Sequence, residues 1–134
     1  MRAERFLLDT HIIVRWLSDP KKLTKEQTRV LENCVLNSEP FAISAITLVE
    51  IVLLSEGRQR ITAKLRQVFH ELDTDPAIRI IPLTTDVALE MAALGDALRD
   101  PSDRVIVATA RVHHLQLLTA DQRIIESDLV PVIE

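Results

Sequence analysis

Short apolar runs alternate with segments of helical period along the whole of this chain, and few architectures tolerate that pattern. Residues 5–8 (Arg-Phe-Leu-Leu), 41–43 (Phe-Ala-Ile), 78–81 (Ile-Arg-Ile-Ile), 116–119 (Gln-Leu-Leu-Thr) and 130–133 (Val-Pro-Val-Ile) read as strands. Between the first two lies a helical face carrying Ile12, Ile13, Trp16 and Leu17. A plausible capping box, Thr24 to Gln27, follows, then Val30, Leu31, Cys34 and Val35 at helical spacing. After the second strand, Ser44 caps a helix from Ala45 to Ser55 that is apolar almost all round. Such a helix is expected to be buried on most sides, with Gly57 as its end. Residues 60–72 form an amphipathic helix with Ile61, Leu65, Val68, Phe69 and Leu72 in register. Thr84, Thr85 and Asp86 offer caps for a helix through Leu94, with Gly95 at its close. Another starts near Ser102, the expected N-cap, and runs to about His114. A short helical piece follows Asp121.

Strands alternating with helices predict a parallel, or mostly parallel, sheet covered on both faces, with right-handed crossovers. Pro131 confines the last strand to an edge. At 134 residues the chain reads as one domain, 1–134, and 47% apolar content supplies a core. The lone cysteine, Cys34, permits no internal disulfide and fits a reducing cytoplasm. No apolar run is long enough for a signal peptide or a membrane span. A net charge of −4 argues against nucleic-acid binding by bulk charge alone, yet leaves room for a nuclease whose carboxylates hold a metal.

In sheets of this kind ligands bind outside the carboxyl ends of the strands. Asp9 ends the first strand, and Asp121 lies just past the fourth. Asp100 and Asp103 sit in Arg-Asp-Pro-Ser-Asp-Arg, at the opening of a helix, and Glu50 lies two turns into the apolar helix. Taken singly, Asp9 is as much a helix N-cap as a functional acid, and Asp121 as much a turn residue or cap. Asp100 must be extended, because a proline follows it, and reads either as an accessory acid or as a turn aspartate. Glu50 is the more telling, since a carboxylate among apolar neighbours needs a reason: a partner arginine, an orientation that reaches solvent, or a function. Together the acids would repel one another, and a bound cation relieves that. Oxygen-only donors point to Mg²⁺ or Mn²⁺, and metal-assisted phosphodiester hydrolysis uses what is present. Arg104 or Arg15 can steady a phosphate, and Arg104 can equally pair with a carboxylate.

Other chemistries lack their parts. No glycine-rich phosphate loop is present, so ATP binding is not expected. An aspartyl phosphatase wants a second aspartate where His11 stands, and a late lysine where none follows Lys64. A phospho-receiver domain lacks the same lysine. The remaining alternative is a non-catalytic interaction module of the same fold.

The order Phe-Leu-Leu-Asp9-Thr-His, Ser44-Ala-Ile-Thr-Leu-Val-Glu50-Ile, Asp100-Pro-Ser-Asp103-Arg and Leu-Leu-Thr119-Ala-Asp121 resembles the PIN-domain ribonucleases. Within them it is most similar to the toxins of type II toxin–antitoxin systems called VapC. The resemblance implies a PIN-like α/β/α sandwich and RNA cleavage with Mg²⁺ or Mn²⁺. It places the family's core acids on Asp9, Glu50, Asp103 and Asp121, with Asp100 as a further acid near the metal. Thr10, Ser44 and Thr119 match small polar positions that orient carboxylates or water. It also implies a homodimer, a cognate antitoxin that blocks the acidic groove, and promoter DNA bound mainly through the antitoxin. The chain departs from the pattern in having no histidine between Gly95 and Asp100, and Ser102 where an aromatic is common. Leu54 and Ser55 stand where many relatives carry a lysine.

Overall fold

The computed structural model describes residues 3–56 and 63–134. The strands are β1 (Phe6–Leu8), β2 (Phe41–Ser44), β3 (Ile78–Ile81), β4 (Gln116–Leu118) and β5 (Val132–Ile133). They form a parallel sheet in the order β3-β2-β1-β4-β5. The chain therefore builds outward from β1 in one direction and then returns to build outward in the other. The reversal lies between β1 and β4, where Phe6, Leu7 and Leu8 pair with Gln116, Leu117 and Leu118. β5 sits at an edge, as Pro131 requires, and the Pro131 carbonyl accepts the Leu117 N–H at 2.9 Å.

The helices are α1 (Thr10–Ser18), α2 (Lys25–Leu36), α3 (Ala45–Glu56), α4 (Ala63–Thr74), α5 (Thr85–Ala93), α6 (Pro101–Val112) and α7 (Gln122–Ser127). Successive strand residues point to opposite faces, and that alternation sorts the helices into two layers. Phe6 and Leu8 meet Ile12 and Ile13 of α1, Leu31 of α2, Ile51 of α3 and Leu72 of α4. Leu7 and Leu117, one residue out of phase, meet Val87 of α5, Ile106 of α6 and Ile124 of α7. Leu7, Leu8, Leu117 and Leu118 are fully buried. Each such side chain stabilises the fold by about 1.5–3 kcal/mol relative to exposure. The result is the expected three-layer α/β/α sandwich.

Local signals explain most boundaries. Thr24 and Gln27 form the reciprocal capping box that opens α2. Gly95 follows α5 with φ +71°, a left-handed conformation that favours glycine. Two expectations change. The N-cap of α6 is Asp100, not Ser102. Asp100 is extended (φ −64°, ψ 123°), its Oδ2 accepts the Asp103 N–H at 3.1 Å, and Pro101 fills the first helical position. A proline there needs no N–H partner and holds the residue before it extended, which is the N-cap conformation. The second change concerns α3, which is not buried on most sides. Val49, Leu53 and Leu54 are each more than half exposed, because the layers beneath take the side of the helix that carries Ile46, Thr47, Leu48 and Ile51. The proposed stop at Gly57 and the Ile61 position of the next stripe lie outside the described residues.

Candidate active site

The site is assembled at the carboxyl ends of β1 and β4, beside the point where strand order reverses. Asp9 follows β1 and caps α1. Its N–H donates to the Leu118 carbonyl at 2.9 Å, which ties it to the end of β4. Its Oδ1 accepts the Thr10 N–H at 2.8 Å, and its Oδ2 accepts the Thr119 hydroxyl at 2.8 Å. Burial pushes the Asp9 carboxyl above its ordinary pKa, against the pull of those two donors. Thr119, fully buried, also accepts the Asp121 N–H at 3.0 Å. One threonine thus fixes the spacing of the two acids at adjacent strand ends.

Glu50 reaches the site from α3 through Thr10. The Thr10 hydroxyl lies 2.5 Å from Glu50 Oε1 and 3.0 Å from the Thr47 hydroxyl. Burial raises the Glu50 carboxyl, the Thr10 hydroxyl lowers it, and the charges of Asp9 and Asp100 raise it again. The partner of the Glu50 carboxylate is therefore the Thr10 hydroxyl, itself bonded to Thr47, and the carboxylate is only half-buried.

Asp103 stands in the first turn of α6 and is largely buried. Its carboxyl is pushed up to about 7, first by burial and then by Asp100, Asp9 and Asp121, with Arg123 pulling the other way. Hydrogen bonds and one ion pair link these acids: Thr119 joins Asp9 to Asp121, Thr10 joins Asp9 to Glu50, Asp100 accepts the Asp103 N–H, and Arg123 lies 3.2 Å from Asp121 and 3.9 Å from Asp103. Asp121 caps α7 by accepting the Arg123 N–H at 2.9 Å. Burial raises its carboxyl, but Arg123 outweighs that and leaves it below the ordinary value.

Not every candidate joins them. Ser44, at the end of β2, turns its hydroxyl to the Ile46 N–H at 3.2 Å, so it holds the start of α3. The Arg104 guanidinium donates to the carbonyls of Met91, Gly95 and Leu98 at 2.6–2.7 Å. It ties α6 to the end of α5, and this commitment replaces both roles the sequence offered it. Arg15 lies in the last turn of α1, six residues beyond Asp9, or about 9 Å along the helix axis. His11, exposed on the first turn, lies close enough for a positive charge there to lower both Asp9 and Glu50. Arg123 was not singled out from the sequence. Its Nη2 lies 3.2 Å from Asp121 Oδ2 and 3.9 Å from Asp103 Oδ2. The available signal was its place two residues past a capping aspartate. Thr47 carries no sequence signal beyond standing three residues before Glu50.

A doubly wound parallel sheet with acids converging at its reversal point defines a class, and the profile of the PIN domain family matches residues 6–128. The chain belongs to that family. Ribonuclease VapC22 of Mycobacterium tuberculosis (strain ATCC 25618 / H37Rv) is 29% identical over 119 residues, covering 88% of each chain. Among solved structures, FitAcB from Neisseria gonorrhoeae superposes with a TM-score of 0.70 at 27% identity, covering 96% of each chain. VapBC2 from Rickettsia felis, bound to a DNA fragment from its promoter, has the same fold (TM-score 0.70, 19% identity, 96% of each chain).

Proposed function

We propose that this chain is a divalent-metal-dependent endoribonuclease, the toxic member of a toxin–antitoxin pair, acting in the cytoplasm as one domain over residues 1–134. The observation that carries the reading is the convergence of Asp9, Glu50, Asp100, Asp103 and Asp121 at one strand edge, with donors fixing two of them. The likeness to a named ribonuclease over most of the chain supports the reaction class.

The donor set suits a hard cation. It is all oxygen, and the three acids lifting Asp103 create a repulsion that positive charge relieves. Among the described residues, no three His, Cys, Asp or Glu side chains stand close enough together to enclose a metal ion as they are placed. Asp9, Glu50, Asp103 and Asp121 would hold Mg²⁺ or Mn²⁺, with Asp100 as a further acid. When bound, the ion supplies positive charge at the phosphate and makes water more acidic.

The chain's own residues supply orientation. Thr119 and the Thr10 N–H hold both oxygens of Asp9, and the Thr10 hydroxyl holds Glu50 against Thr47. Asp103, with its carboxyl near 7, carries a proton for part of the time at neutral pH and must release it to act as a ligand. Thr10 and Thr119 support the acids directly, and Ser44 does so through the start of α3. The partners that go with this reading are an RNA substrate, a cognate antitoxin, a second copy in a homodimer, and promoter DNA through the antitoxin. No helix among the described residues is long and apolar enough to cross a membrane.

The test is cleavage of RNA by the purified chain with Mn²⁺ or Mg²⁺, and mapping of new RNA 5′ ends after induction in cells. Asp9→Asn and Asp103→Asn should abolish both signals while the protein still folds. Full activity in both variants, or in excess EDTA, would overturn the mechanism and favour a binding module.

A further inference from the structure

Arg123 holds a position that neither capping nor packing requires. Its backbone N–H already satisfies the cap, donating to Asp121 Oδ1 at 2.9 Å. The guanidinium then forks onto the same carboxylate, Nε to Oδ1 at 3.4 Å and Nη2 to Oδ2 at 3.2 Å. The same Nη2 stands 3.9 Å from Asp103 Oδ2. One cation therefore spans two acids that come from different helices, α6 and α7. The side chain is 75% exposed, whereas Asp103 is 11% exposed and Asp121 23%. The acids are fixed by the fold, and the cation lies over them from the solvent side.

We infer that Arg123 is a built-in counter-cation of this cleft, which a divalent cation must displace from Asp121 and Asp103 in order to bind. This rests on the metal reading proposed above and adds that the chain itself sets how tightly the cleft takes metal. The Asp121 oxygens that accept from the guanidinium are the ones a metal would use, so the two cations compete for them. Exchange is easy, because an exposed ion pair is weak and the arginine leaves into water. Its departure still has a cost, because without any cation the acids face only one another, so the two cations exchange and the acids are not left bare. Lysine would not substitute fully, since a single ammonium cannot fork across two carboxylates as a planar guanidinium does.

The experiment is a calorimetric titration of Mn²⁺ into the metal-free full chain, comparing wild type, Arg123→Gln and Arg123→Lys. Circular dichroism confirms the fold, and melting is followed with and without Mn²⁺. Arg123→Gln should bind Mn²⁺ about two- to fivefold more tightly, the range that loss of an exposed ion pair allows. Its metal-free Tm should fall, and the rise in Tm on adding Mn²⁺ should exceed that of wild type. Arg123→Lys should lie between the two. If wild type binds Mn²⁺ and Arg123→Gln binds it equally well or more weakly, the exchange is overturned and the metal reading stands. If wild type takes up no Mn²⁺, the metal reading falls and this role with it. Should Arg123→Gln not fold, Arg123→Lys decides, and an affinity equal to wild type overturns the proposal.

Discussion

Thr119 and Asp9 are 110 residues apart in the chain, yet the threonine hydroxyl donates to Asp9 Oδ2 at 2.8 Å with both groups buried. The same hydroxyl oxygen accepts the Asp121 N–H at 3.0 Å. The bond exists because β1 and β4 are neighbours in the sheet and end at the same level.

Thr119→Val keeps the shape and removes the hydroxyl. Asp9 loses a donor and the Asp121 N–H loses its acceptor. Urea unfolding should show a loss of about 1–3 kcal/mol, the cost of leaving buried polar groups unpaired. RNA cleavage should fall further than stability alone explains, and Thr119→Ser should restore most of both.

Asp103 makes the metal-free protein pH-sensitive. Its carboxyl is raised to about 7 in the fold, above the ordinary value of 3.8. Between those values the folded chain holds a proton that the unfolded chain has released. Stability from this group is therefore present at low pH and lost as pH rises toward 7. Thermal melts in EDTA should show that decline, and Asp103→Asn should flatten it.

Metal uptake should run the opposite way with pH. On the proposed ligand set Asp103 must be deprotonated to bind, so metal uptake should expel its proton. Titrations should show weaker Mn²⁺ binding at pH 6 than at pH 8, with protons released at the lower pH. Asp9→Asn should weaken binding at both.

Asp100 separates cleanly into cap and charge. Asp100→Ala removes the Asp103 N–H acceptor and should cost about 0.5–2 kcal/mol, measured by chemical unfolding. Asp100→Asn keeps a capping oxygen and should cost little. It removes a negative neighbour, so carboxyl NMR should find the Asp103 pKa lower than in wild type.

Arg104→Ala tests a joint, not a substrate contact. Three carbonyls lose a charged donor, and the end of α5 loosens from α6. A loss of about 2–3 kcal/mol is expected, given what hydrogen bonds to charged groups contribute. RNA cleavage per folded molecule should hold near wild type at low temperature.

Much of this was legible in the sequence because it follows from period and punctuation. The five strands, the Thr24–Gln27 box and the edge position of β5 rest on residues near one another in the chain. The places of Asp9 and Asp121 were legible for a related reason, since a parallel sheet sends every residue just past a strand to one edge; Glu50, Asp100 and Asp103, on helices, needed more than that. Contacts across the fold were not. Nothing local says that Thr10 meets Glu50 or that Arg123 reaches Asp103. The exposure of α3 is not legible in the sequence, because apolar residues record what a helix offers, not what covers it. Ser102 looked like the cap because serine is a good one, and the stronger signal was the proline before it.

The two-residue β5, with Pro131 leading into it, closes one side of the sheet to further growth. A strand that short, led by a residue without an N–H, offers little ladder for a guest strand to zip onto. Partners of this protein therefore gain no hold by β-augmentation at that edge. Strand addition is left to the opposite edge, the four-residue β3, and the helical flanks offer the other surfaces.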